Sequence, residues 1–110
     1  MDIASQEIFG PVIALYRFHT EAEVLDRAGR VTADDSTGGL AGYVYTLSHA
    51  RGRRAIRELH VGMVGLNSTY LSDPKTNFGG VGLSGIGREG GPGLEEYSVT
   101  KYIVDRFDVD

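Results

Sequence analysis

The chain contains no cysteine. That excludes disulfides, thiolate metal sites and any mechanism whose nucleophile is a cysteine carried by these residues. There is no excess of positive charge. Eleven Lys and Arg stand against fifteen Asp and Glu, for a net charge of −4 and a pI near 5.3. Nothing in that balance points to nucleic acid or an anionic membrane as a partner. No apolar run is long enough to span a bilayer, and Met1 does not open a secretory leader pattern. A cytoplasmic setting is therefore expected. His19, His49 and His60 lack ligand spacing, so no metal site is expected.

What is present is ordinary for one small soluble domain: 110 residues, 41% hydrophobic and 24% charged. The exception is the stretch 79–93, where eight of fifteen residues are glycine. Such a run cannot be the interior of a helix or strand, because each glycine there loses too much backbone entropy. A linker, a phosphate-cradling loop and a rigid loop of tight turns are the three readings. Gly85, Gly87 and Gly90 match GxGxxG. The dinucleotide fingerprint, however, needs a strand before it and a helix opening on it. Here a glycine-rich loop precedes the motif and Gly91-Pro92-Gly93 follows. Ser84 does not fit the GxSxG elbow, since Ile86 holds the last position.

Along the chain, residues 12–18 (VIALYRF), 40–46 (LAGYVYT), 61–66 (VGMVGL) and 99–104 (VTKYIV) read as strands. Thr20 and Glu23 have capping-box spacing, so a helix is expected to follow, with Val24, Leu25 and Ala28 inward. Ser48 is an N-cap for a helix to about Leu59, whose inner face is Gly52, Ala55, Ile56 and Leu59. Residues 93–97 suit one or two helical turns. The order β-α-β-α-β-loop-β predicts an α/β fold with a mainly parallel sheet and flanking helices. Parallel sheets need both faces covered, and two thin helices cover four strands poorly. The pattern suggests a piece of something larger. Arg51, Arg53 and Arg54 read as a solvated helix face. On spacing alone, Glu7 reads as a surface carboxylate and Phe9 as a core ring. The functional alternative is a ribose-holding carboxylate beside a ring-packing aromatic.

Three segments alter that balance. They are 6–12 (QEIFGPV), 61–67 (VGMVGLN) and 78–89 (FGGVGLSGIGRE), followed by 93–97 (GLEEY) and 100–102 (TKY). In this order and spacing they resemble the C-terminal part of the aldehyde dehydrogenase superfamily. Residues 67–74 (NSTYLSDP) and 87–91 (GREGG) make the succinate-semialdehyde dehydrogenase branch the nearest likeness. The resemblance implies that residues 1–98 are a C-terminal part of a catalytic domain. Residues 99–110 would be an oligomerisation-type strand and tail. It implies NAD(P)-dependent oxidation of an aldehyde through a cysteine nucleophile. Glu7 corresponds to the glutamate that binds the nicotinamide ribose, and Phe9 to the aromatic beside the nicotinamide. Phe78 corresponds to an aromatic of the substrate tunnel, and Ser72 to a serine near the substrate carboxylate.

The chain also departs from that family pattern. Cysteine is absent, and the general-base glutamate and dinucleotide domain of the family lie N-terminal to the segments matched here. NAD or NADP is thus implied by the resemblance without a complete site for it. Gly82 stands where lysine is usual, and Asn77 where proline usually precedes the phenylalanine. His49 and Arg53 occupy helix positions that are usually apolar. These departures fit a truncated chain, expected to be inactive alone for want of a nucleophile. The alternative expectation is a non-catalytic interaction module. It would pair through its last strand with a full-length paralogue or with another copy.

Overall fold

The computed structural model describes residues 3, 8–32, 38–91 and 93–107, with the side chains of 30–32 outside that description. Glu7 lies outside the described residues, as do residues 33–37. Four regular elements follow in order: α1 (Glu21–Thr32), β1 (Ala41–Val44), α2 (His49–Glu58) and β2 (Met63–Leu66). Short 3-10 turns occupy Gly82–Ser84 and Gly93–Tyr97.

α1 begins where its sequence directs. The Thr20 hydroxyl accepts from the Glu23 amide at 3.1 Å, and the Glu23 carboxylate reaches back to the His19 amide at 2.8 Å. This is a capping box displaced by one residue on its return bond. α2 starts at the Ser48 cap, whose hydroxyl accepts from the Arg51 amide, and it stops at Leu59, whose N–H returns to Ala55. β1 and β2 pair in parallel, Ala41 with Met63 through Val44 with Leu66. α2 is the crossover between them, so the three form one βαβ unit. The ladder is extended past β2 by Asn67. Its backbone N–H donates to Val44, its side-chain oxygen accepts from the Thr46 amide at 2.8 Å, and its amide group donates to the Thr46 carbonyl at 3.0 Å. The side chain stands in for a further peptide, while the backbone turns at φ 53°, a conformation asparagine tolerates.

The expected inner face of α2 is the one that packs. Gly52 and Ala55 are buried, and Ile56 and Leu59 are half-buried. Gly52 matters through its size: a Cβ there would lie 2.8 Å from a Leu66 methyl. Helix and sheet approach closely because nothing projects between them. His49 and Arg53 are exposed in this chain, so the cost of burying unpartnered polar groups does not arise here.

The first and last expected strands are not formed. Residues 12–18 and 99–104 belong to no ladder, and the sheet has two strands, not four. Both runs are rich in β-branched and aromatic residues. A strand also needs a neighbour to exchange hydrogen bonds with, and the described residues supply none. Their large apolar side chains are exposed, Leu15 at 89% and Tyr102 at 89%. Among the described residues, the buried positions are Gly39, Gly52, Ala55, Gly65 and Gly80, and no large side chain is fully buried. The accessible surface is 9519 Å², against about 6,000 Å² for a compact monomer of this mass. The radius of gyration is 19.8 Å, where about 13 Å is usual for this length.

Across the helix pair, Glu21 of α1 receives Arg54 at 2.7 Å and Arg51 at 3.1 Å. The Arg54 hydrogen bond, joined by Arg51 and only partly opposed by desolvation, holds the Glu21 carboxyl below its ordinary value. The folded pKa thus lies under the unfolded one. The contribution of this cluster is complete above the ordinary carboxylate range and is lost as pH falls through the folded value. Glu21→Gln should therefore flatten the acid limb of a stability curve taken from about pH 7 to about pH 3. Equal acid slopes for variant and parent in urea midpoints would refute that role. At the helix–sheet contact, Gly52→Leu should lower stability by about 1–3 kcal/mol through overpacking against Leu66. A midpoint unchanged by this substitution would mean that α2 does not pack as described.

Candidate functional site

The glycine-rich stretch is a folded loop clamped at both ends. Phe78 and Glu89 face each other in an antiparallel bridge, each N–H donating to the other's carbonyl at 2.7 Å. Gly39 and Val81 form a second such bridge at 3.0 Å in both directions. The Gly39 carbonyl also accepts from Gly62 at 3.1 Å. The start of β1, the approach to β2 and the loop therefore meet at one backbone junction. Gly62 is the residue that permits it, since a Cβ there would collide with the Gly79 carbonyl and sit 2.8 Å from the Gly80 Cα. Within the loop, the chain turns at Gly82 with φ 56°. This is the left-handed region, open to glycine without steric cost.

Arg88 closes the loop from inside. One guanidinium nitrogen donates at 2.8 Å to the carbonyls of both Gly80 and Gly87. These are charge-assisted bonds in a half-buried setting, and they satisfy carbonyls that a glycine-rich turn leaves without secondary-structure partners. Arg88 and Asn67 entered the sequence reading only as members of longer motifs, with no role of their own. A lone long cation within a glycine run, and an asparagine directly after a strand, were the signals available for each. No helix opens on residues 85–90, and a 3-10 turn precedes them. The GxGxxG spacing therefore has neither flank of a dinucleotide fingerprint.

Two shallow grooves flank Phe78, which is half-buried. One, of about 360 Å³, is lined by Ser72, Asp73, Pro74, Phe78, Glu89 and Gly90. Ser72 and Phe78, both expected on the substrate side, are thus brought to one surface. Ser72 is held there by its neighbour. The Asp73 carboxylate accepts from the Lys75 amide at 2.9 Å, and the Asp73 carbonyl accepts from both the amide and the hydroxyl of Thr76. The Gly91 amide ties Pro74 to the end of the loop at 3.1 Å. The other groove, of about 310 Å³, lies on the inner side of the loop, where Phe78 joins Ser84, Arg88, Glu96 and Tyr97. Phe9 lines neither groove and is 92% exposed. It is therefore not the core ring that spacing alone suggests. Glu7, its expected companion, lies outside the described residues. Among the described residues, no group of three His, Asp or Glu side chains could hold a metal ion, and no helix is long and apolar enough to cross a membrane.

The family model described as the aldehyde dehydrogenase family matches residues 1–103. A succinate semialdehyde dehydrogenase of Acinetobacter baylyi is 41% identical over 103 residues, covering 93% of this chain and 20% of that protein. Succinate-semialdehyde dehydrogenase [NADP(+)] 1 of Schizosaccharomyces pombe is 47% identical, covering 94% of this chain and 19% of that protein. Among solved structures, succinate-semialdehyde dehydrogenase from Burkholderia pseudomallei superposes with a TM-score of 0.83 at 41% identity, over 94% of this chain and 20% of that one. The chain spans about a fifth of the length of these relatives.

The junction gives a direct test of the loop. Gly62→Ala should displace the loop from β1 and remove the slow amide exchange of Gly39 and Val81, at a cost of about 1–3 kcal/mol. Retained protection at both amides would show that the loop does not depend on this contact.

Proposed function

Because the chain belongs to the aldehyde dehydrogenase family, we propose that it forms the substrate-side corner of a catalytic domain that oxidises an aldehyde to its carboxylate with NAD or NADP. The observation that carries this reading is the convergence of Ser72 and Phe78 on one groove, at the edge of a loop held rigid by Arg88 and the Phe78–Glu89 bridge. The Phe78 ring is an apolar wall for an aldehyde chain. The Ser72 hydroxyl is a donor for a polar group at the far end of that chain, such as the carboxylate of succinate semialdehyde.

The same groove sets a limit. Its lining contains Asp73 and Glu89 and no Lys or Arg. A substrate carboxylate beside Ser72 has to be neutralised by a cation from outside this lining, since like charges at close range disfavour binding. NAD(P) supplies a hydride acceptor to this chemistry. The described residues do not amount to a site for it: Phe9 offers one exposed ring, and no helix N-terminus faces a phosphate-cradling turn. The nucleophile too is supplied by another polypeptide stretch, since this chain has no cysteine.

On this reading, the purified chain yields no reduced nicotinamide from succinate semialdehyde and either cofactor. Activity requires a polypeptide carrying the remaining four-fifths of a relative's length. In that complex, Ser72→Ala should raise KM for a carboxylate-bearing aldehyde by about tenfold, with kcat little changed. Steady turnover by the chain alone would overturn the division of labour. An unchanged KM would remove Ser72 from the substrate site.

A second reading is favoured by the unpaired run 99–104, in which Val99 is 96% exposed. Here the chain is a non-catalytic module that pairs, through that segment, with a full-length relative or another copy. Light scattering with and without such a relative separates the two, and a monomer that forms no complex would discard this second reading.

A further inference from the structure

The end of the N-terminal arm is tied to α1, although the arm belongs to no sheet. The guanidinium of Arg27, in the middle of α1, sits 5.4 Å from the centroid of the Tyr16 ring. One of its nitrogens donates to the Arg17 carbonyl at 3.2 Å and lies 3.4 Å from a Glu23 carboxylate oxygen. The other oxygen of Glu23 accepts the His19 amide at 2.8 Å. A ring, a carbonyl and an amide of residues 16–19 are thus engaged by two side chains one helical turn apart. Just beyond, Phe18 and His19 line an open apolar cavity of about 480 Å³ between α1 and the β1–α2 face, with Val24, Leu25 and Tyr43 among its walls. Ile13 and Leu15, further along the arm, project into solvent at 84% and 89% exposure.

We infer that Arg27 is a positioning residue. It ties residues 16–19 to α1, so that the outward apolar side chains of the adjoining run are presented in one arrangement to a partner polypeptide that contains the rest of the catalytic domain. The commitment to that partner rests on the function proposed above and on one further observation. The chain superposes over 94% of its length on a protein of which it is 20%, with a TM-score of 0.83. The trace is therefore kept over nearly the whole chain, although the described residues bury no large side chain of the arm. Arg27 and Glu23 make contacts that tie residues 16–19 to α1. Pre-ordering of this kind lowers the entropy lost on association.

The clamp is tested on the whole chain without partner or cofactor. In its NMR spectrum the Arg27 δ-protons should be shifted upfield by the Tyr16 ring, and Tyr16→Leu should abolish that shift. Arg27→Ala should move the amides of residues 13–18 to random-coil positions, while Arg27→Lys should restore part of the difference. Amides of β1 and β2 should stay in place in all three variants, which reports that the fold persists. Random-coil amides at 13–18 in the parent chain, or amides there unmoved by Arg27→Ala, would overturn the proposal. Binding to a polypeptide carrying the other four-fifths of a relative is then measured. A loss of about fivefold in affinity is expected for Arg27→Ala. Equal affinity for parent and variant would refute a positioning role. Absence of binding by the parent, with the NMR clamp present, would sink the catalytic-domain reading and the choice of partner together.

Discussion

The structure depends on one close meeting of three backbones. Gly39 just before β1, Gly62 before β2 and Val81 of the glycine-rich loop are joined through Gly39, whose carbonyl accepts from both of the others. No side chain fits between these segments. The parallel register of β1 and β2, the start of the loop and the placement of Phe78 all hang on this junction. The interior here is main chain against main chain, closer than any pair of larger residues would permit. Such an interior is strongly directional, because it is built from hydrogen bonds, but it removes little apolar surface from water.

That shortage of apolar burial is the other governing fact. Large hydrophobic residues line two unpaired runs, 12–18 and 99–104, and stay exposed. Covering each such side chain is worth about 1.5–3 kcal/mol, and the described residues lack the surface to do it. The backbone nonetheless follows the trace of proteins five times longer. Local devices hold it there: the caps at Thr20 and Ser48, the Glu21 cluster with Arg51 and Arg54, the Arg27 clamp and the side-chain bridge from Asn67 to Thr46. Each is small, and most are exposed. Together they specify geometry more than they supply stability.

Around Phe78 the glycine-rich loop has fastenings of its own. A loop of this glycine content would ordinarily be mobile, yet Arg88 fastens two of its carbonyls and the Phe78–Glu89 bridge closes its base. Rigid loop edges are what a substrate-facing wall requires, since a binding surface that must first be ordered loses affinity to entropy. The neighbouring groove is acidic, with Asp73 and Glu89 in its lining.

Both helices were legible in the sequence, because their signals are local: a hydroxyl cap, a carboxylate three residues on, and small or apolar residues at i, i+3, i+4 and i+7. So were the parallel β1–β2 pair with its crossover helix and the motifs that carry the family likeness. The sequence also excluded a cysteine nucleophile outright. Tertiary structure decided the rest. It left 12–18 and 99–104 unpaired, because strand propensity describes a residue's fit to a sheet and cannot provide the neighbouring strand. It turned the glycine-rich stretch into a clamped wall by way of Arg88, and brought Ser72 beside Phe78 through the Asp73 turn. Those outcomes depend on contacts between segments distant in the chain or on the exact course of a turn, and neither is encoded in residue spacing alone.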